Sequence, residues 1–590
     1  MTMKMSKNFV YNNNNIISIC IINALIICMV CCADDNNDSA VTVVVKNSQI
    51  RGKHQTIDGR PVNVFLGIPY AEPPVDRLRF KRPLPLTDPW PSVINAEQWS
   101  SPCHQLHMFP ENFNNQTFSE DCLHLNIWSP GEQVVPDNDS ELKAVMFFIH
   151  GGALIVGSSV EKYFNGQVLS TRGDVVVVTV NYRVNTMGFL YTATDDAPGN
   201  MGLWDQTVAL EWVNDYIRYF GGDPNRITVF GHSAGSWSTS LHILSPISRR
   251  LFRNAIMMSG AAINRNAGED PEAVRDKWLK GAEAIGCGDG SESQEFRKET
   301  IDCLMAAPAD QLAAIPFLPV LADKQIGWTT QVIIDGQLIP SRPLKMLESG
   351  DYKKSINLMV GTTQDEGSWI LSLMNVDPVL YDRFQPANIT YQVAYDELRK
   401  LSARLQSKEP IDTESVAKLY FHGLSDKTTT SDQLRQTIGV AIGDYLLGCP
   451  ALQYGRLVYE NDRQTSRVYQ YYYNSKVGLT PKLLCSHWMG VCHFDDIYPV
   501  FGVPFWKPED FLDSERQISA QMIDIFSTFA KTGKPANING VEWQSYYTLN
   551  DNTIETYYEI SDKPKPISNF GVGLKINECQ YLWKKYIDQQ

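Results

Sequence analysis

A serine between two glycines has the residue pattern that most clearly predicts covalent chemistry. The sequence G-H-S-A-G at 231–235 directly follows an apolar run at 227–230 and precedes a helix-compatible run at 237–244. Small residues at both ends allow a tight turn, so the hydroxyl of Ser233 is exposed at its tip. A bare G-x-S-x-G is often an ordinary turn, but a preceding strand and a following helix favour a nucleophile elbow.

A second glycine-rich segment supplies candidate donors for the negative charge that such a serine would create. The sequence H-G-G-A at 150–153 follows an apolar run at 145–149. The developing oxyanion needs N–H donors that are already in place, and we predict that Gly152, Ala153 and Ala234 provide them. Ala153 stands where loops of the H-G-G-G type have a third glycine, so its φ must suit a residue with a Cβ. The alternative is a glycine-rich turn without a ligand.

The rest of the chain alternates between two patterns. Trp204, Val208 and Trp212 recur at helical spacing. Short apolar runs closed by glycine or polar residues are typical of strands buried on both faces; they occur at 145–149, 174–180, 227–230, 255–258 and 357–360. This alternation predicts an α/β fold with a mostly parallel central sheet and helices on both faces. We expect the more polar segments 265–350 and 375–445 to be helical insertions that shape a gorge over one end of the sheet.

Composition excludes several functions. The 590 residues have a formal net charge of −14, without a basic run that would locally reverse it, which argues against nucleic acid as a partner. The sequence has no cluster with metal-ligand spacing and no nucleotide-binding loop. We therefore predict no metal and no cofactor.

The N-terminus predicts export. Lys4 and Lys7 precede an apolar stretch at 16–32 that falls short of the ~20 apolar residues of a membrane span. We predict a signal peptide at 1–33 and a single domain at 34–590, secreted and extracellular without an integral membrane anchor; the alternative is a transmembrane anchor. Eight of the twelve cysteines remain, an even number that favours disulfides. Glycosylation sequons occur at Asn37, Asn115, Asn138 and Asn388.

Several separated motifs carry a family resemblance. They are F-L-G-I-P-Y-A-E-P-P at 65–74, S-E-D-C-L-H-L-N-I-W at 119–128, G-N-M-G-L-W-D-Q at 199–206 and F-G-G-D-P at 220–224. In this order the chain resembles the type-B carboxylesterase and cholinesterase family, of the secreted arthropod-like kind, over nearly its full mature length. The resemblance implies the α/β-hydrolase fold and a serine ester hydrolase that acts on a small-molecule ester through an acyl-enzyme.

The same resemblance implies a catalytic triad in the order serine, acid, histidine. Glu366, in D-E-G-S at 365–368, matches the family's acid, although the residues alone leave Asp365 as an alternative. His493, in W-M-G-V-C-H at 488–493, matches the histidine that takes the proton of Ser233. Phe494 follows it where many relatives have a small residue.

The resemblance also implies disulfide pairs and one structural ion pair. Arg79 and Glu120 fall at the family positions of that ion pair. Cys485 and Cys492 remain, and the sequence leaves open whether they pair or stay free. The implied disulfides are Cys103–Cys122, Cys287–Cys303 and Cys449–Cys579.

Two departures from the cholinesterase pattern favour a neutral ester as substrate. The loop between Cys103 and Cys122 contains no tryptophan, and Asn112, beside Phe113, stands at the position of the choline-binding tryptophan. His232 stands where cholinesterases carry a glutamate. An acetylcholinesterase-like activity remains the alternative, and a non-catalytic adhesion relative is the alternative of another class. The sequence leaves the oligomeric state open.

Overall fold

The structure is a computed structural model. It describes residues 39–588 apart from 89, 107–116, 137, 264–266, 270, 289–294, 319–320, 322–329, 374–375, 406, 408, 479–484 and 564–567. The predicted signal peptide at 1–33 lies outside these residues, as do Asn37, Asn112, Phe113 and Asn115.

The strands are short, and most of them belong to one sheet. Their bounds are β1 Ser39–Val45, β2 Ser48–Ile57, β3 Arg60–Pro69, β4 Val93–Asn95, β5 His124–Pro130, β6 Lys143–Ile149, β7 Val176–Val180, β8 Gly222–His232, β9 Asn254–Met258, β10 Ala267–Glu269, β11 Val332–Ile333, β12 Asn357–Thr363, β13 Arg467–Tyr473, β14 Tyr547–Leu549, β15 Asn552–Ile554, β16 Thr556–Ile560 and β17 Phe570–Val572.

The large sheet has the order β1-β2-β3-β5-β7-β6-β8-β9-β12-β13-β16-β17, with β4 paired to β2. From β7 to β16 in this order, successive strands run parallel to one another, whereas the pairings of β1, β2, β3, β5 and β17 along the path are antiparallel. The carboxyl ends of β6, β8 and β12 therefore open at the same edge, with β8 near the centre. The predicted mostly parallel sheet is confirmed.

Helices connect these strands and cover both faces of the sheet. The α-helices are Gln167–Gly173, Asn185–Phe189, Met201–Tyr216, Ala234–Leu244, Pro271–Ala284, Lys298–Ala306, Ala309–Ala314, Pro343–Glu348, Ser368–Leu373, Tyr391–Ser402, Thr413–Tyr420, Ser431–Gly443, Cys449–Asn461, Ile497–Val500, Val503–Trp506, Asp513–Thr532 and Lys584–Ile587. Those between 265 and 350 and between 375 and 445 occupy the segments predicted as helical insertions.

The core lies on both sides of the parallel strands because their side chains alternate between two apolar clusters. In β6, Phe147 and Ile149 belong to one cluster and Phe148 to the other. The helix Met201–Tyr216 packs on the first side and the helix Asp513–Thr532 on the second. Burial on both faces explains why these strands are continuous apolar runs rather than alternating ones.

In the described residues, no helix combines the length and apolar character of a membrane span. The apolar stretch at 16–32 lies outside the described residues.

Candidate active site

The turn after β8 holds Ser233 in a strained backbone conformation. Its φ of 58° and ψ of −121° lie outside the regions that residues with a Cβ normally adopt. Such strain persists only where the surroundings impose it. Ser233 precedes the helix Ala234–Leu244 and is partly exposed, whereas every other residue from Ile227 to Ser245 is buried. The predicted elbow therefore presents its hydroxyl at the carboxyl edge of the sheet.

The two glycines of the motif are required by contacts with backbone atoms. A Cβ at Gly231 would lie 2.2 Å from the carbonyl oxygen of Gly235, and a Cβ at Gly235 would lie 2.0 Å from the carbonyl oxygen of Ile149. Real Cβ atoms essentially never come so close, and backbone atoms cannot move aside as a flexible side chain can. The tight turn thus depends on both residues.

The loop after β6 approaches the elbow closely. A Cβ at Gly151 would lie 3.1 Å from the Cβ of Ser233 and 2.7 Å from the carbonyl oxygen of His232. Gly152 has a φ of +109°, and Ala153 adopts the left-handed region with a φ of 57°. Among the described residues, none accepts a hydrogen bond from the backbone N–H of Gly152 or Ala153. The left-handed region favours glycine, so Ala153 adopts it at a conformational cost, and its φ does not suit a Cβ, contrary to what the sequence required.

Residues that the motif does not contain fix this loop. The ring of His150 stacks 4.2 Å from the ring of Tyr182, whose hydroxyl donates to the carbonyl of His150 over 2.8 Å. Gln105 both donates to and accepts from the backbone of Gly157, at 2.9 Å and 2.7 Å. Burial lowers the pKa of His150 to about 4, so this ring stays neutral. No sequence pattern pointed to Gln105, because its partner lies 52 residues away.

His493 and Glu366 meet in the buried interior beside the elbow. The Nδ1 of His493 lies 2.5 Å from the Oε2 of Glu366, and both side chains are almost fully buried. The other carboxylate oxygen accepts hydrogen bonds from the hydroxyl of Ser259 and the backbone N–H of Thr363, each over 2.7 Å. The carboxylate is therefore satisfied on both oxygens and orients the imidazole.

Asp365, the alternative acid, points elsewhere. Its Oδ2 accepts a hydrogen bond of 2.7 Å from the backbone N–H of Val491, and its own N–H donates to the carbonyl of Val491. Burial raises the pKa of Asp365 to about 6. Asp365 thus holds the loop that precedes His493, while the neighbouring Glu366 contacts the imidazole. Sequence alone could not separate the two because both follow the same strand.

A helix approaches the Glu366 turn through small residues. A Cβ at Gly443, in the helix Ser431–Gly443, would lie 2.3 Å from the backbone nitrogen of Gly367 and 2.8 Å from the Cβ of Glu366. A Cβ at Gly439, one turn earlier, would likewise collide with Ser368. The sequence could have indicated this contact, because two glycines four residues apart lie on the same face of a helix.

Aromatic rings surround the imidazole. The ring of Phe494 lies 5.0 Å from that of His493, and Trp369 packs edge-on against Phe494 at 4.8 Å. His232 approaches His493 from the elbow, with ring centroids 4.6 Å apart. The ring of Phe494 thus lies beside the imidazole of His493, and it makes this side of the site apolar.

Four disulfides lie within the described residues. Three are the pairs that the resemblance implied: Cys103–Cys122, Cys287–Cys303 and Cys449–Cys579. The fourth joins Cys485 to Cys492, the residue directly before His493, and decides the question that the sequence left open. Both of these cysteines are buried.

The sequence also predicted an ion pair and glycosylation sequons. The Nε of Arg79 donates to the Oε2 of Glu120 over 2.8 Å, and its Nη1 donates to the carbonyls of Met305 and Ala307. This is a structural ion pair. The sequon residues Asn138 and Asn388 are exposed.

Comparison with known proteins identifies relatives along the chain. Residues 39–582 match the family described as Carboxylesterase family. Cholinesterase from Mus musculus is 33 % identical over 543 residues, which cover 88 % of this chain and 84 % of that protein. Acetylcholinesterase from Leptinotarsa decemlineata is 31 % identical, covering 84 % and 79 %. Acetylcholinesterase-1 from Trittame loki is 31 % identical, covering 92 % and 94 %.

The family match covers nearly all of the described chain, and the relatives align over most of their own length. These two findings establish the family. The chain belongs to the carboxylesterase family and is a serine hydrolase of the α/β-hydrolase fold that acts on carboxylic ester bonds.

Proposed function

We propose that this enzyme hydrolyses neutral carboxylic esters through an acyl-enzyme, with Ser233 as nucleophile, His493 as base and Glu366 as the acid that orients the imidazole. The observation that carries the proposal is the buried contact of 2.5 Å between Glu366 and His493 beside the elbow. A carboxylate at Nδ1 fixes the tautomer in which Nδ1 carries the proton, so Nε2 is free to act as a base.

The reaction then proceeds in two balanced halves. The Oγ of Ser233 attacks the ester carbonyl while the Nε2 of His493 takes its proton, and the resulting imidazolium is stabilised by Glu366. Nε2 returns the proton to the leaving alcohol, which departs and leaves an acyl-serine. Water repeats the sequence, releasing the carboxylic acid and restoring the serine hydroxyl.

We assign the oxyanion hole to the backbone N–H groups of Gly152, Ala153 and Ala234. Ala234 is the first residue of the helix Ala234–Leu244, whose leading N–H groups have no partner within the helix. The positive φ of Gly152 and Ala153, together with the approach of Gly151 to Ser233, supports the same assignment. Donors fixed before the reaction cost no reorganisation when the charge develops.

The residues around His493 support a neutral ester as the substrate. Burial, together with the neighbouring His493 imidazole, holds the pKa of His232 well below its usual range. A neutral ring therefore stands directly before the nucleophile, where a carboxylate would attract a cationic substrate. Phe494 and Trp369 add apolar surface beside the base.

Hydrolysis of choline esters is the second candidate. It is favoured by the names of the relatives, which include two acetylcholinesterases and a cholinesterase at 31–33 % identity. A choline site here would have to use a residue other than the missing tryptophan, and Phe113 is the nearest aromatic residue in sequence.

We also propose that the enzyme is secreted as a single domain spanning 34–590. Four disulfides favour an oxidising compartment. The apolar stretch at 16–32 and the exposed sequon residues Asn138 and Asn388 support the same localisation.

A substrate ratio tests the specificity. Loss of a desolvated cation–π contact costs about 2 kcal/mol, and 1.4 kcal/mol corresponds to about tenfold in rate. We therefore expect kcat/KM for a nitrophenyl ester to exceed that for an acylthiocholine of equal acyl length by about tenfold or more. Phe113→Ala should leave this ratio unchanged, with Phe109→Ala as the control. A ratio that favours the thiocholine and reverses only in Phe113→Ala would replace this proposal with a cholinesterase.

A further inference from the structure

His232 connects the two halves of the site directly. Its Nε2 lies 2.7 Å from the backbone carbonyl oxygen of His493, and both residues are almost fully buried. A carbonyl oxygen only accepts, so Nε2 must carry the proton and donate it. The tautomer of His232 therefore follows from the geometry. The other candidate acceptor near this nitrogen, the Oδ1 of Asp496, lies 4.0 Å away, beyond hydrogen-bond distance.

The two ends of this hydrogen bond are held differently. At one end, His232 is the residue before Ser233, whose backbone N–H donates to the carbonyl of Met258 over 2.8 Å. At the other end is the main chain of His493, 261 residues away in sequence. Glu366 holds the imidazole of His493, but it does not fix the main chain to which that imidazole is attached. The bond from His232 supplies this second point of attachment.

We infer that His232 is a positioning residue, whose Nε2–H donates to the carbonyl of His493 and fixes the separation between the main chains of nucleophile and base. This inference rests on the proposed function, because it assigns a role relative to Ser233 and His493. A carboxylate at position 232 could not make this bond, since an ionised carboxylate only accepts. The histidine that replaces the cholinesterase glutamate thus has a geometric role in addition to its lack of charge.

Three substitutions separate the hydrogen bond from packing. His232→Gln places an amide donor near the position of Nε2. His232→Leu has a similar size without a donor, and His232→Asn is polar but too short to reach the carbonyl. Displacement of a reacting group by about 1 Å costs on the order of a hundredfold in rate. We expect kcat with a nitrophenyl ester to fall between about tenfold and a hundredfold in the leucine and asparagine variants, with KM within about twofold.

The glutamine variant is the rescue. It should retain at least about a third of the wild-type kcat, because it restores the donor. Thermal unfolding of all three variants shows whether packing has been lost. If His232→Leu does not fold, the comparison of His232→Asn with His232→Gln carries the test. Equal kcat in the variants with and without a donor would overturn the inference, as would a wild-type kcat in His232→Asn or His232→Leu.

A labelling control separates this inference from the proposed function. An organophosphate should react with Ser233 in the wild type and in His232→Gln, and more slowly in His232→Asn. Labelling of wild-type Ser233 at the same rate as in His232→Asn would overturn only the role of His232. Failure to label Ser233 in the wild type would overturn the proposed function itself.

Discussion

The elbow of Ser233 and the loop of His493 are built in contrasting ways. The elbow depends mainly on residues within its own motif and on the adjoining strand end, because Gly231 and Gly235 remove Cβ atoms that would collide with backbone. Local contacts also shape the His493 loop, through the φ of +75° at Gly490 and the hydrogen bond from the backbone N–H of Cys492 to Asp495, but these contacts do not join the loop to the elbow. Its position depends on Glu366, 127 residues away, on His232, 261 residues away, and on the disulfide Cys485–Cys492.

This difference predicts that substitutions in the two regions have different effects on stability and on rate. A change in the elbow alters a tight turn between the central strand and its helix, so it should lower the stability of the whole domain. A change in the contacts of the His493 loop moves one side chain against an otherwise intact site, so it should lower the rate more than the stability. Three sets of substitutions, each with a matched comparison, test this distinction.

Among changes to the contacts of the His493 loop, the largest effect on rate is expected from Glu366→Gln. The amide is nearly isosteric with the carboxylate but favours the wrong tautomer of His493 and cannot stabilise the imidazolium. The equivalent change in a serine protease lowers kcat by about 10⁴, and we expect a loss of about 10³ to 10⁴ here. Steady-state kinetics with a nitrophenyl ester measure the rate, and a thermal unfolding curve measures the stability.

Asp365→Asn is the matched control for this change. Asp365 contacts the backbone of Val491 rather than the imidazole, and an asparagine oxygen can accept the same hydrogen bond. We expect a loss of no more than about tenfold. A larger loss in Asp365→Asn than in Glu366→Gln would show that the acid has been assigned to the wrong residue.

The same contrast explains how far the sequence predicts the molecule. The parallel strands were predictable because burial on both faces produces continuous apolar runs. The elbow was predictable because the pattern that marks it lies within five residues, although one of its close contacts is with Ile149. The bonds of Gln105 to Gly157 and of His232 to His493 were not, because each partner is distant in sequence and neither residue type specifies it. Choosing Glu366 over Asp365 required the family resemblance, and the pairing of Cys485 with Cys492 required the structure.

Gly235→Ala tests the elbow. The added Cβ would lie 2.0 Å from the carbonyl oxygen of Ile149, so the strand end or the helix start must shift. Overpacking of this kind costs about 3 kcal/mol, and we expect a lower unfolding temperature together with lost activity. Gly423→Ala is the control, because Gly423 has a φ of +78° with no atom within 4 Å of an added Cβ. Its cost should be about 1 kcal/mol, without an effect on kcat. Equal stability of the two variants would contradict this account of the motif.

The smallest effects on rate are expected from removal of disulfides. Loss of one disulfide should lower mainly the rate, and loss of another should lower mainly the stability. The double variant Cys485→Ser, Cys492→Ser removes the closed loop that ends beside His493. We expect kcat to fall by about tenfold, as for a modest displacement of the base.

The double variant Cys449→Ser, Cys579→Ser opens a loop with a sequence separation of 130. Chain entropy predicts a larger loss of stability for this loop, roughly 5 kcal/mol. This second pair of changes should leave kcat of the folded enzyme nearly unaltered. The reverse pattern would show that Cys485–Cys492 does not serve the His493 loop.

The central claim is that Ser233 is the nucleophile, and covalent labelling tests it most directly. Treatment of the full-length enzyme with an organophosphate, followed by peptide mapping, should find one adduct per chain, on Ser233, with esterase activity lost in proportion to labelling. Ser233→Ala should take up no label and retain no activity above a small residual rate. An adduct on another residue that accounts for the lost activity, or an active Ser233→Ala enzyme, would contradict the account.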